Sequence, residues 1–207
     1  MSYLKRRNAD SSLEYLAVRE LKKFGGIDYV CGEPQAVPIE RMIEMQYGIS
    51  IEYHYLRKNF ITLGQMVFDG GHVPIYDMEN NGYTLIDVPP KTMLIDARLL
   101  ENKRYANRLR FTYAHELSHY ILHKEYFANL NEVPALIKGE ENEDHDMIER
   151  QANLLSSNLL VSTGQMKKAF NRLMARGESN DIVRTMADIF EVAPVTMEIR
   201  MREHHLI

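Results

Sequence analysis

The stretch Arg110-Phe111-Thr112-Tyr113-Ala114-His115-Glu116-Leu117-Ser118-His119-Tyr120-Ile121-Leu122-His123 decides how this chain is read. From about residue 108, Leu109, Thr112, Leu117, Tyr120 and Ile121 recur near helical spacing, which predicts a helix ending close to Lys124. On that helix His115 and His119 lie one turn apart on one face, where two imidazoles can converge on a single ion. Glu116 projects about 100° away around the axis, off the ligand direction but within reach of a water activated by the ion. This is the physical content of the His-Glu-x-x-His pattern: neutral imidazoles hold Zn²⁺, one ion per chain, and the glutamate acts as general base. The apolar flanks predict that the helix is buried. Burying these groups without partners costs on the order of several kcal/mol, a penalty that a metal relieves.

A catalytic zinc site usually takes three protein ligands and keeps one position open. His123, His145 and Glu149 are candidates for the third. His123 continues the four-residue series, but a third ligand on one straight helix drifts about 40° further around the axis. The arrangement with a glycine and a third histidine six residues past the second is absent, because Leu122 and Glu125 stand there. His145 falls in the acidic run 140–146, which reads as a solvated loop. Glu149 starts a long amphipathic helix, 147–161, able to pack against the motif helix; a glutamate there also complements the helix dipole without any metal. Asn153, one turn further on, can hydrogen-bond the far nitrogen of a ligand histidine.

The rest of the chain supports an α+β domain. Apolar residues at Leu13, Leu16, Ala17, Leu21 and Phe24 mark a helix stopped by Gly25-Gly26, and Pro38 opens a second helix ending near Gly48. Runs at 49–55, 60–68, 83–88 and 93–96 read as strands of one small, mostly antiparallel sheet, with glycine turns between them. The segment 129–146 reads as loop, and three helices follow at 164–176, 180–190 and 194–206. All 207 residues are expected to form one domain, with 1–10 flexible and 164–207 as a helical C-terminal subdomain.

Composition excludes some classes. The formal net charge is −4, so nucleic-acid binding would need a local basic patch. The single cysteine, Cys31, cannot form an internal disulfide, and neither a signal sequence nor a membrane-spanning run is evident. A cytoplasmic protein is expected.

The motif stretch, followed by Glu149-Arg150-Gln151-Ala152-Asn153 and a leucine-rich helix, resembles the ImmA/IrrE family of metallopeptidases. The order of the preceding elements from about residue 11, and the final 190–202 segment, are similar as well. The resemblance implies a zincin-like fold with His115, His119 and Glu149 as ligands, Glu116 as general base and Asn153 supporting a ligand. It also implies a protein substrate: a helix-turn-helix repressor encoded nearby, whose cleavage derepresses phage, mobile-element or stress genes. Ser118 departs from the glycine common in the family, and Leu160-Val161-Ser162 from the common Leu-Met-Pro.

Two other functions compete. A DNA-binding regulator would use the helix–turn–helix-like spacing of 186–202, although that segment mixes Glu198 and Glu203 with its arginines and reads better as a helical hairpin closing the core. A non-catalytic antirepressor would keep the fold and sequester its partner, against which the intact Glu116 argues. An edge strand from 60–68 or 93–96 is expected to hold substrate extended. Tyr113, Tyr120 and His123 are candidates for stabilising an oxyanion.

Overall fold

Glycine-bounded runs in the first half of the chain become five strands, but in two sheets rather than one. The computed structural model describes residues 10–128, 143–177 and 180–207; the expectations for residues 1–9 and 129–142 lie outside the described residues. The chain divides into two compact units, one of 40–153 and one of 1–39 with 154–207.

The 40–153 unit carries the site. After α1 (Asp10–Gly25) and α2 (Asp28–Cys31), α3 (Ile39–Tyr47) leads through Gly48, in the left-handed region at φ 60°, into β1 (Ser50–His54). β2 (Gly64–Val67), β3 (Gly71–Asp77), β4 (Gly82–Val88) and β5 (Thr92–Asp96) follow. The three-stranded sheet has the order β1-β5-β2, with β1 and β5 parallel and β2 antiparallel to β5; β3 and β4 form a separate antiparallel hairpin. β5 is buried at every residue, which is why Thr-Met-Leu-Ile-Asp does not alternate. Its last residue, Asp96, is a buried carboxylate held by Arg98 at 2.6 Å and by the Leu56 amide at 3.1 Å. β3 escapes a reading by periodicity because Pro74 interrupts it, and proline is tolerated here since the hairpin strand pairs on one side only.

This order corrects one expectation. The 93–96 run cannot offer a free edge, because β5 is paired on both sides. Within 60–68 only Gly64–Val67 is strand, and it borders no second strand among the described residues. Leu56, Val67, Val73, Val88 and Leu94 make a shared apolar cluster, so the hairpin is pinned by side chains rather than by a continuous ladder.

After 3-10 turns at Ala97–Leu99 and Lys103–Tyr105, α4 (Ala106–Ala128) carries the motif, and α5 (Glu143–Leu160) follows. α5 begins four residues earlier than the apolar pattern suggested, so His145 is helical rather than in a loop. Ser118 is fully buried and its hydroxyl donates to the Ala114 carbonyl at 2.7 Å, which accounts for a serine at a packed helix position.

The other unit contains α1, α2, α6 (Thr163–Ala175), α7 (Ile182–Phe190) and α8 (Pro194–Glu203). Gly164 is required by a close approach: an added Cβ would stand 2.5 Å from the Val30 carbonyl oxygen. Ser162, one of the family departures, donates to that same carbonyl at 3.1 Å. Arg200 is buried, bonded to Glu203, the Val161 carbonyl and Thr163, so it is a structural cation rather than a surface one. No helix among the described residues is long and apolar enough to cross a membrane.

Candidate metal centre

α4 presents His115 and His119 one turn apart, and the first turns of α5 bring Glu149 to them. His115 Nε2 stands 2.9 Å from His119 Nε2 and 3.3 Å from Glu149 Oε2, and His119 Nε2 is 3.6 Å from Glu149 Oε1. One donor atom from each of the three lies within 4.8 Å of the others. Donors bound at about 2.0–2.1 Å around a tetrahedral ion stand about 3.3–3.4 Å apart, close to the separations of the two ring nitrogens from each other and from the two Glu149 oxygens. Of the three candidates for the third ligand, only Glu149 joins the pair.

The hydrogen bonds decide which imidazole nitrogens face inward. His115 Nδ1 is 3.0 Å from Asn153 Oδ1, an acceptor only, so Nδ1 carries the proton and Nε2 presents its lone pair. His123 Nε2 is 3.0 Å from Gln151 Oε1 and donates to it, which leaves His123 Nδ1 as an acceptor. His119 Nδ1, 3.2 Å away, then donates to His123, and His119 Nε2 is left with its lone pair. Two lone pairs therefore oppose each other at 2.9 Å with a carboxylate beside them. Neutral imidazoles in that arrangement repel unless a cation lies between them, and this donor set fits a divalent metal.

Burial and charge agree. Burial, then the neighbouring His115 and His123, push His119 down to about 3, so it stays neutral and available as a donor. Burial also depresses His123. Burial opposes charge on His115, but hydrogen bonding to Glu149 and the fields of Glu116 and Glu149 outweigh it and raise its pKa. The hydrogen bond that the protonated form of His115 makes outweighs burial and holds Glu149 at about 2, an ionised carboxylate throughout the neutral range.

Glu116 is buried on the α4 flank that meets β2. An added Cβ on Gly64 would lie 2.7 Å from Glu116 Cγ, 2.8 Å from its Oε1 and 2.8 Å from Thr112 Cγ2. Glu116 thus lies against the backbone of the edge strand, where a carboxylate can act between the triad and whatever pairs with β2. Two of the expected oxyanion donors are committed elsewhere: Tyr113 hydrogen-bonds Tyr53 at 2.5 Å, and His123 is fully buried between His119 and Gln151; the Tyr120 ring stacks on Phe68.

The sequence thus pointed to His115, Glu116, His119, Glu149 and Asn153. It did not reveal Gln151 or the supporting role of His123, although His123's place in the i, i+4 series was a signal. Gly64 had no signal, since a glycine beside a turn reads as turn chemistry.

Comparison with known families shows that residues 78–202 match the sequence pattern of the IrrE N-terminal-like domain, Peptidase_M78. Among solved structures, a Mycobacterium tuberculosis transcriptional regulator is similar in fold, with a TM-score of 0.53 at 11% identity. The similarity covers 96% of this chain and 48% of that one, so the chain spans about half the length of that regulator. No curated protein sequence matched the chain.

Proposed function

The chain belongs to the IrrE N-terminal-like, peptidase M78 family, and on that premise we propose that it is a zinc-dependent endopeptidase acting on a protein partner. The observation that carries this reading is the triangle of His115 Nε2, His119 Nε2 and a Glu149 oxygen, with both ring nitrogens held in the donor tautomer. These three residues would hold one zinc ion, and Asn153 would keep the His115 ring in place. The ion would supply Lewis acidity, making water a competent nucleophile near neutral pH and polarising the scissile carbonyl. Manganese or iron fits the same nitrogen and oxygen donors and is separated from zinc by metal analysis.

The remaining work falls to the chain itself. Substrate pairs as an extended strand with the edge of β2 that borders no other strand among the described residues, which sets its backbone across Glu116. Glu116 takes the proton from the attacking water and delivers a proton to the leaving amine. Its burial against Gly64 limits bulk solvent at the carboxylate and keeps that transfer short. Both compact units belong, in this reading, to one metallopeptidase domain, with 164–207 as its helical subdomain. The family resemblance supports a helix-turn-helix repressor encoded nearby as the substrate, and a cytoplasmic location accords with the lone Cys31.

The test is Glu116→Gln. Metal content of both proteins is expected to stay near one per chain, while cleavage of the neighbouring repressor falls by about 10²–10⁴-fold. Cleavage by the variant at the wild-type rate would remove Glu116 from the mechanism. A wild-type protein that binds the repressor without cutting it would make the chain a sequestering antirepressor instead.

A further inference from the structure

Beside the catalytic helix the 40–153 unit carries a continuous patch of cations interleaved with aromatic rings. Arg98 lies over the Phe60 ring at 4.5 Å and Arg108 lies over it at 5.3 Å. Phe60 meets Tyr105 edge-on at 5.7 Å, and Arg104 lies over Tyr105 at 4.8 Å. Arg98 also bonds the carbonyls of Arg57 and Lys58, and Arg57 lies over Tyr83. Of these cations only Arg98 has a carboxylate partner, Asp96, among the described residues. The patch's four guanidiniums, those of Arg57, Arg98, Arg104 and Arg108, outnumber the carboxylates of Asp96 and Glu101 that act on Arg98, which makes a net positive cluster in a chain whose net charge is −4. Stacking on aromatic faces fixes the guanidiniums in place, so they meet an anion at a lower entropic cost than free side chains do.

Two features tie the patch to the active site. Arg108, Thr112 and Glu116 follow one i, i+4 ridge of α4, which sets Arg108 about 12 Å along the axis from the general base. Phe60 sits four residues before Gly64, the residue of β2 that touches both Thr112 and Glu116. Phe60 is itself held at φ 53°, an uncommon conformation for a bulky residue and a cost that the fold sustains at this point. At about 3.3 Å per residue of extended peptide, the roughly 12 Å between Glu116 and Arg108 is the reach of about three to four residues.

We propose that this patch is a specificity subsite for an acidic segment of the protein substrate, three to four residues to one side of the scissile bond. The proposal rests on the endopeptidase reading and adds to it the class of sequence that the enzyme selects. A protein substrate is favoured over nucleic acid because the patch continues the edge that would hold the peptide. The acidic side chains form charge-assisted bonds with Arg104, Arg108 and Arg57, and the rings between them pack against the substrate's aliphatic stems.

The test has a cleavage arm and a binding arm. In the first, the zinc-loaded protein is given a defined peptide library and the cut sites are sequenced. Asp and Glu are expected to be enriched at the third and fourth positions on one flank. In R104E/R108E the ratio of kcat/KM for acidic over neutral flanks is expected to fall about ten- to hundredfold, from two lost attractions and two new repulsions. In the second arm, E116Q is titrated with fluorescent octaglutamate, octalysine and oligo-dT. Octaglutamate should bind best, weaken with salt, and weaken about tenfold or more when R104E/R108E is added. The endopeptidase reading fails if the wild-type protein cuts nothing in the library. The subsite fails if cuts occur without acidic preference, or if that preference survives the charge reversal. It fails equally if octaglutamate binding ignores the two arginines, or if oligo-dT is the probe that depends on them.

Discussion

Replacing Gly64 with alanine tests how closely catalysis depends on the contact between β2 and α4. The added methyl would stand 2.7 Å from Glu116 Cγ and 2.8 Å from Thr112 Cγ2. Carbon atoms in ordinary contact are about 3.5–4.0 Å apart, so the glutamate arm or the strand must yield by about 0.8 Å. A positioning error on the order of 1 Å at a reacting group costs on the order of 10²-fold in rate, or about 2.7 kcal/mol of barrier. Gly64→Ala should therefore lower kcat about 30- to 100-fold, with little change in KM, because Glu116 acts on the transition state. Overpacking should also cost about 1–3 kcal/mol of stability, measured by urea unfolding. Metal content should stay near one per chain, since the three atoms nearest the added methyl belong to Glu116 and Thr112 rather than to His115, His119 or Glu149. Gly82→Ala is the control: its nearest neighbour to an added Cβ is the Asn80 carbonyl oxygen at 3.7 Å, and its kcat should match wild type. A folded Gly64→Ala protein with wild-type kcat would refute the reasoning.

Gln151→Leu should weaken metal binding about 10- to 100-fold in a chelator competition, while Gln151→Glu, which keeps the acceptor, should remain close to wild type. Nitrogen-15 spectra of metal-free protein should show His119 protonated at Nδ1; protonation at Nε2 would break the proposed relay. Stability of the metal-free protein should fall as pH drops below 6.5, because His119 titrates near 3 in the fold and near 6.5 when unfolded, so the unfolded chain binds the extra proton. The slope from this group is at most about 1.4 kcal/mol per pH unit. His115, raised above 6.5, adds no slope below that value, and Glu149, lowered to about 2, acts only below its unfolded value of 4.5. Urea titrations from pH 6.5 to 5 should therefore be flatter for His119→Asn than for wild type, and equal slopes would contradict the assignment.

What the sequence made legible follows from where each signal lives. The ligand pair and general base are encoded by spacing within one helix, which a string of letters preserves. Glu149 and Asn153 share the same four-residue spacing on a second helix, so their common face was legible although their target was not. Gln151 lies about 200° around α5 from Glu149, off the face that periodicity picks out, and only the position of His123 shows what it bonds. Gly64 is meaningful because of what lies across a non-local contact, and the missing side chain leaves no chemical trace. The strands show the same limit. Their existence was largely readable from alternation, but the central place of β5 depends on pairing between residues some forty apart, as in Ser50 with Thr92.

The three α5 residues at the site impose a condition on the fold that none imposes alone. Glu149 faces the ligand pair, Asn153 orients His115, and Gln151 orients His119 through His123. A slip of α5 by one residue along α4 would break all three together, so register and metal competence stand or fall as one property. The protonation pattern carries the same logic into the metal-free protein. His115 is the group whose pKa is raised, and its Nε2 lies 2.9 Å from the His119 lone pair and 3.3 Å from an ionised Glu149. A proton on that nitrogen offsets the same repulsion that a metal ion would offset, and it leaves the Asn153 bond on Nδ1 intact. Metal and proton therefore compete for one position, and metal binding must release a proton in the range where His115 is charged. His119 cannot play that part, because burial and its two histidine neighbours keep it neutral.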